Sequence, residues 1–250
     1  YTLDAVTGKI LVSKNLGLPY NTADIEPTPD NPGVNTCGDI NPYVGVTSTP
    51  VIDPSSSTVY MWSKTYLDGT TSGYHNARYK LHALDVMTLN EQPNFPYNPE
   101  GIIADNDPAV YFIGGIVLQR PALSLDNGVI YSAWGAHCDN YNYTGMVIGV
   151  NTSGVKTSFW LAESGPKRKQ GSGIWMGGCG LSSDGTGRFY AVTGNGDTGV
   201  TTPTLGKNPG PILSQAVVAL GKNSNGTLSA IDFFEPYNYM GLGDSDFGSG

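Results

Sequence analysis

The chain has 250 residues, of which 34 are Gly and 17 Pro, against 13 Lys+Arg and 21 Asp+Glu, giving a formal net charge of −8. Gly and Pro at that density interrupt helices and furnish turns, which argues against a helical bundle, while 15 Tyr and runs such as Val-Ile at 51–52 and Val-Val at 217–218 favour strands. With 39% hydrophobic and 14% charged residues the chain has material for a sizeable core, and its sparse cations, clustered only at Lys167, Arg168 and Lys169, disfavour a polyanion-binding face, so no nucleic-acid partner is expected.

The expected class is all-β, and the strands fall into a repeat. Residues 1–9 read as a strand and turn in which LDAVTGK is the recurring part, so the chain starts half way through a repeat unit. Tyr1 has neither an initiator Met nor a signal-type apolar region around it, and further chain is expected upstream. The first full unit opens with STPVID at 48–53, a Ser-rich turn and TVYMW at 58–62, followed by LHALD at 81–85. The second has RPALSLD at 120–126, an Asn-Gly turn, VIYSAW at 129–134, MVIGVN at 146–151 and KTSFWLA at 156–162. The third has GCGLSSD at 178–184, a Gly-Thr-Gly turn, RFYAV at 188–192, AVVALG at 216–221 and LSAIDFF at 228–234.

Each unit begins with a hairpin whose turn is led by an Asp, which offers an acceptor to the turn amides, and completed by Gly, Asn or Ser. A fourth strand follows in the second and third units and is much weaker after Asp85. Tandem four-stranded units are the signature of propeller blades, here expected at 46–95, 119–163 and 174–235, with partial blades at 1–16 and 241–250. The turn aspartates at 53, 126 and 184 are further apart than in simple propeller repeats, the excess lying in loops at 63–79, 135–145 and 194–214, and loops of that length are expected to be either functional or disordered. No segment is long enough for a membrane-spanning helix, since the longest apolar run, 109–118, has ten residues and includes two glycines.

Cys37, Cys138 and Cys179 match no zinc-ligand spacing. Cys138 reads as half of a disulfide, with Cys37 or Cys179 as its partner. Acceptor triplets for N-linked glycans begin at Asn142, Asn151 and Asn225, all in polar, turn-like surroundings, and point to a secreted, extracellular glycoprotein.

The motifs LDAVTGK at 3–9 and LHALD at 81–85, together with GVTSTPVID at 45–53, QRPAL at 119–123 and DSDFG at 244–248, resemble the pyrroloquinoline-quinone (PQQ)-like β-propeller superfamily, also called quinoprotein alcohol dehydrogenase-like. The resemblance covers nearly the whole chain and implies a ring of seven or eight blades, of which this chain supplies about half. The rest is expected from a further segment or a second chain, because an open half would expose two long sheet faces. The resemblance also implies PQQ and Ca²⁺ as cofactors and oxidation of an alcohol or sugar. Three departures stand out: Val12 where the family's blade ending carries Trp, no Trp after Asp85, and no adjacent cysteine pair.

First-strand residues of a propeller line the channel mouth, which selects Gln119, Arg120, Trp175, Met176, Asp244 and Asp246 as candidates to meet a small molecule or glycan. The planar fork of Arg120 suits a carboxylate or a quinone dicarboxylate, or else a structural ion pair. Asp244 and Asp246 share one face of a strand and suit Ca²⁺ or acid/base chemistry, or else cap a turn. Trp175 suits stacking on a planar cofactor or sugar, or else fills the space between blades. His137, Cys138 and Asp139 form a compact polar cluster, but neighbours on a strand face opposite ways and make no dyad. His75 and His82 show no ligand spacing, and there is neither a phosphate-binding glycine loop nor a nucleophile elbow. Two functions follow: a quinoprotein-type oxidoreductase, or a non-catalytic propeller that binds glycans or proteins. Convergent carboxylates with Asn and Arg would suit the first, and exposed aromatics in loops the second.

Overall fold

A computed structural model describes residues 1–27, 37–38, 40–69, 73–196, 208–245 and 247. The described chain is all-β: its sheets are antiparallel, and its only helical pieces are three-residue 3-10 turns. A small pair, β1 (Thr2–Leu3) with β2 (Ile10–Val12), comes first, and a second pair joins β3 (Tyr20–Asn21) to β4 (Tyr43–Val44). The first larger sheet has the order β5 (Val51–Asp53), β6 (Thr58–Tyr66), β7 (Ala77–Asp85). In the second, β10 (Val129–Ala136) pairs on one side with both β8 (Val117–Leu118) and β9 (Ser124–Asp126), and on the other with β11 (Met146–Asn151), which pairs with β12 (Lys156–Leu161). The third runs β13 (Ser182–Ser183), β14 (Arg188–Val192), β15 (Val217–Lys222), β16 (Leu228–Phe234). No described helix is long and apolar enough to cross a membrane.

The Asp-led turns form as their chemistry dictates. Asp53 Oδ1 accepts from the Ser55 amide at 2.9 Å, and Asp184 Oδ1 from the Thr186 amide at 2.8 Å. The hairpin after Asp126 instead relies on Asn127 and Gly128, both at positive φ (47° and 76°). Asp4 and Asp85 repeat one further turn, each accepting from the amides two and three residues on. The first strands are shorter than the sequence suggests. Pro50 and Pro121 have no N–H to give a ladder, so β5 starts after Pro50, and residues 119–123 split β8 from β9. After Asp85, isolated bridges from Leu81 to Tyr97 and from Leu84 to Glu91 stand where a fourth strand would lie.

Strand alternation stacks the sheets in chain order. From β10, Val129, Tyr131 and Ala133 enter a core shared with Phe189, Ala191, Val218 and Leu220 of the third sheet. Ile130 and Trp134 enter the opposite core with Tyr60, Trp62, Tyr79 and Leu81 of the first sheet. There the Trp62 and Trp134 rings meet edge to face at 5.0 Å. Val59 and Met61, on the other face of β6, pack with Val12 and Leu16. Each large apolar side chain buried this way contributes about 1.5–3 kcal/mol. The outermost faces keep apolar groups in water, including Leu3, Ile10 and Leu11 at one end and Ile231 and Phe234 at the other.

Candidate binding cleft and the buried lysine beneath it

Gln119 is completely buried, and its side chain mends the split ladder between β8 and β9. Nε2 donates to Pro121 O at 2.6 Å and reaches Ala133 O of β10 at 3.5 Å, while Oε1 has no partner among the described residues. Arg120 is exposed. Trp175 is half-buried and lies across Gly135 of β10, where an added Cβ would fall 2.5 Å from the indole, so the strand must carry glycine there. Met176, at φ 45°, packs against the core between the second and third sheets. Gln119 and Trp175 therefore gather around the end of β10, while Arg120 is exposed to solvent. Asp244 belongs by its backbone to the 3-10 turn Gly243–Ser245, and Asp246 lies outside the described residues. Among the described residues no three His, Cys, Asp or Glu converge as metal ligands.

Cys138 is bridged to Cys37 across 5.6 Å between Cα atoms, and Cys179 is an exposed free thiol. The bridge anchors the chain just beyond β10, where Cys138, Asp139 and Tyr141 all take positive φ (47°, 50° and 69°). Such conformations cost about 1–3 kcal/mol each and persist where surrounding structure holds them.

His137, immediately before the bridge, is buried and meets a residue that the sequence reading passed over. Lys64 of β6 is fully buried, with Nζ 2.7 Å from His137 Nε2, 3.0 Å from Val117 O and 3.4 Å from Gly115 O. Its ammonium lies 4.4 Å from the centre of the Tyr20 ring and 5.2 Å from that of Tyr79. Burial drives Lys64 well below the usual lysine range, against the opposing pull of the Glu100 carboxylate. Burial, and then the Lys64 charge, drive His137 well below the usual histidine range, so a neutral imidazole accepts from Lys64. Lys64 thereby ties β6 to the 115–117 segment and to the root of the bridged loop. A signal existed: Tyr60, Trp62, Lys64 and Tyr66 share one face of β6, which places a lysine on an aromatic stripe. His82, by contrast, is a satisfied histidine, bonded to Ser63 and Glu91 at 3.0 Å each.

The elements tied together by Lys64 and the disulfide enclose a cleft of about 190 Å³. Tyr74, Tyr111, Tyr141 and Tyr143 are in its wall, and Ile113, Ile116, Val117 and Met146 supply apolar floor. Tyr111 is 57% exposed, and the Tyr74 and Tyr141 rings lie 5.5 Å apart. Gly115 admits this arrangement, because a Cβ there would sit 2.2 Å from the Tyr74 carbonyl oxygen. The Tyr141 hydroxyl accepts from the Glu26 amide at 3.2 Å, and burial pushes its pKa up to about 12. The polar rim is Arg168 with Asn142: Arg168 Nη1 donates to Asn142 Oδ1 at 3.3 Å, and Arg168 Nε lies 3.8 Å from Asp107 Oδ2.

Tyr143 also borders a second, polar cup formed with Asp139, Gln170, Gly171, Asn195, Gly196 and Gly243. Behind it Glu163 is fully buried and accepts from Ser172 Oγ at 2.6 Å. No protein-family profile matches the chain, and no curated protein matches its sequence.

Proposed function

We propose that this chain is part of a secreted PQQ-like β-propeller, each stacked sheet being a blade, and that it acts as a binding scaffold whose tyrosine-walled cleft takes a carbohydrate. The cleft carries this reading. Pyranose rings present an apolar C–H face that packs on aromatic rings, and equatorial hydroxyls that need directed partners. Exposed Tyr111 and half-buried Tyr74, backed by the buried Tyr141 ring, supply the first surface, and the guanidinium of Arg168 and the amide of Asn142 supply the second. The outward apolar groups of β1, β2 and β16 are the contacts we assign to further blades, from more of the same polypeptide or from a second copy.

PQQ bears several carboxylates, and Ca²⁺ demands several oxygen ligands. The described surroundings of Gln119 and Trp175 do not fit that pair: Gln119 spends its amide on the broken ladder, Arg120 faces solvent, and the bridged cysteines are 101 residues apart rather than adjacent. We derive no chemical step from them.

The test is a glycan-array screen of the purified protein, beside a sample supplemented with PQQ and Ca²⁺ and assayed for dye-linked oxidation of alcohols and sugars. Binding to a defined set of glycans without oxidation supports the scaffold. Quinone-dependent oxidation with no glycan retained would overturn it.

A further inference from the structure

We propose that the cleft is occupied by the chain's own N-linked glycan, carried on Asn142, and opens to other carbohydrate when that glycan is removed. The inference rests on the carbohydrate reading above and deepens it to regulation of the same site. Asn142-Tyr143-Thr144 is an acceptor triplet, and of the three Asn residues that begin such triplets Asn142 is the one that lines the cleft. Asn142 is exposed, and its hydrogen bond from Arg168 falls on Oδ1 rather than on Nδ2, the nitrogen that bears a glycan. Asn225 is exposed too, but it sits in the turn between β15 and β16 with its Oδ1 held by Thr227, and Asn151 is half-buried at the end of β11 with its Oδ1 held by the Ser153 amide.

A sugar on Asn142 starts at the rim, beside Arg168, with the tyrosine faces next to it. Tethering then decides occupancy. A short flexible link presents its ligand at an effective concentration of order millimolar, so even a weak carbohydrate site fills from within before free sugar competes. The attached glycan lays its first rings along Tyr111 and Tyr74, and free oligosaccharide must displace it.

The experiment uses the full chain secreted from a glycosylating host, before and after native treatment with a peptide N-glycosidase, which leaves aspartate at 142, and beside them Asn142→Gln from the same host, which keeps an amide and never carries the glycan. Glycopeptide mass spectrometry reads occupancy at Asn142, and tetranitromethane nitration reads access to Tyr111, with exposed Tyr1, Tyr43 and Tyr237 as internal references. Calorimetric titration with N,N′-diacetylchitobiose, the disaccharide at the root of such glycans, reads binding. We expect Asn142 to be occupied, Tyr111 to be nitrated faster relative to the reference tyrosines once the glycan is gone, and the disaccharide to bind at least about tenfold more tightly to the treated protein. An unmodified Asn142, or equal nitration of Tyr111 in both forms, overturns the proposal. Nitration protection without disaccharide binding by the treated protein supports self-coverage and counts instead against carbohydrate recognition as the chain's function.

Discussion

Along the outer edge of β12, Asp105 Oδ2 accepts from the Phe159 amide at 2.6 Å, the Asp105 amide donates to Phe159 O at 2.8 Å, and Asn106 bonds both the amide and the carbonyl of Leu161 at 3.0 Å. Along β16, the outer strand of the third sheet, Ser229, Ile231, Asp232 and Phe234 are exposed. The contrast traces to one linker. Residues 86–116 first strap β7 through Glu91 and Tyr97, then strap β12, and then supply Tyr111, Ile113 and Ile116 to the cleft. An edge strand needs its free N–H and C=O groups covered, and here the segment that covers two edges also builds the candidate binding surface. The third sheet is organised differently, with Gln215 clamping the segment after it through Gly243 O and the Phe247 amide.

If the strapped side is a locked unit, Lys64 is its keystone. Lys64→Ala removes a long buried side chain and leaves Val117 O and His137 Nε2 without their donor, and should cost about 3–5 kcal/mol in chemical denaturation. Lys64→Met, which keeps the stem, should cost less. Equal losses for the two variants would show that the amine contributes nothing.

Removing the bridge by Cys37→Ser should cost about 2–4 kcal/mol. In hydrogen exchange the loss of protection should concentrate in residues 137–145 and spare β15 and β16. Asp105→Ala, which unpairs the Phe159 amide and breaks the 2.7 Å ion pair with Lys156, should cost about 1–2 kcal/mol and speed exchange along β12. Uniform exchange changes over all three sheets would dissolve the distinction between the two sides.

The smallest effect, and the sharpest test of the contrast, lies in pH. His137 has a folded pKa well below its ordinary 6.5, so its contribution is present above 6.5 and is lost as pH falls toward the folded value. Glu235, which follows β16, is half-buried with neither carboxyl oxygen paired among the described residues, and burial raises its pKa from 4.5 to about 7. Its contribution is present below 4.5 and is lost as pH rises through about 7. Acid should therefore loosen the cleft side, and a rise from acid to neutral pH the end of β16. Glu235→Gln should melt like the wild type near pH 4.5 and slightly higher than it near pH 8, as followed by calorimetric melting.

Hairpins and turns were legible in the sequence because their causes are local: Asp53 and Asp184 each stand beside the turn they organise, Asn127 and Gly128 make the turn between them, and short apolar runs mark β10 and β11. Strand lengths were less legible, since Pro121 breaks a ladder whose repair by Gln119 depends on a distant carbonyl of β10. That distance also changed the meaning of Gln119, singled out for a ligand and found patching a sheet. The cleft left no periodic trace at all. Tyr74, Tyr111 and Tyr141 come from three separate loops and meet only after the sheets stack, and the value of Lys64 emerges only when His137 arrives 73 residues later.

The central claim is that the tyrosine wall binds carbohydrate, and a calorimetric titration of the enzymatically deglycosylated protein with N,N′-diacetylchitobiose, wild type beside Tyr111→Ala, tests it most directly. Tyr111 is exposed, so its loss should leave stability within about 0.5 kcal/mol. The account predicts saturable binding that weakens about tenfold in the variant, the equivalent of about 1.4 kcal/mol of lost stacking. Binding of equal strength in both proteins, or none in either, would contradict it.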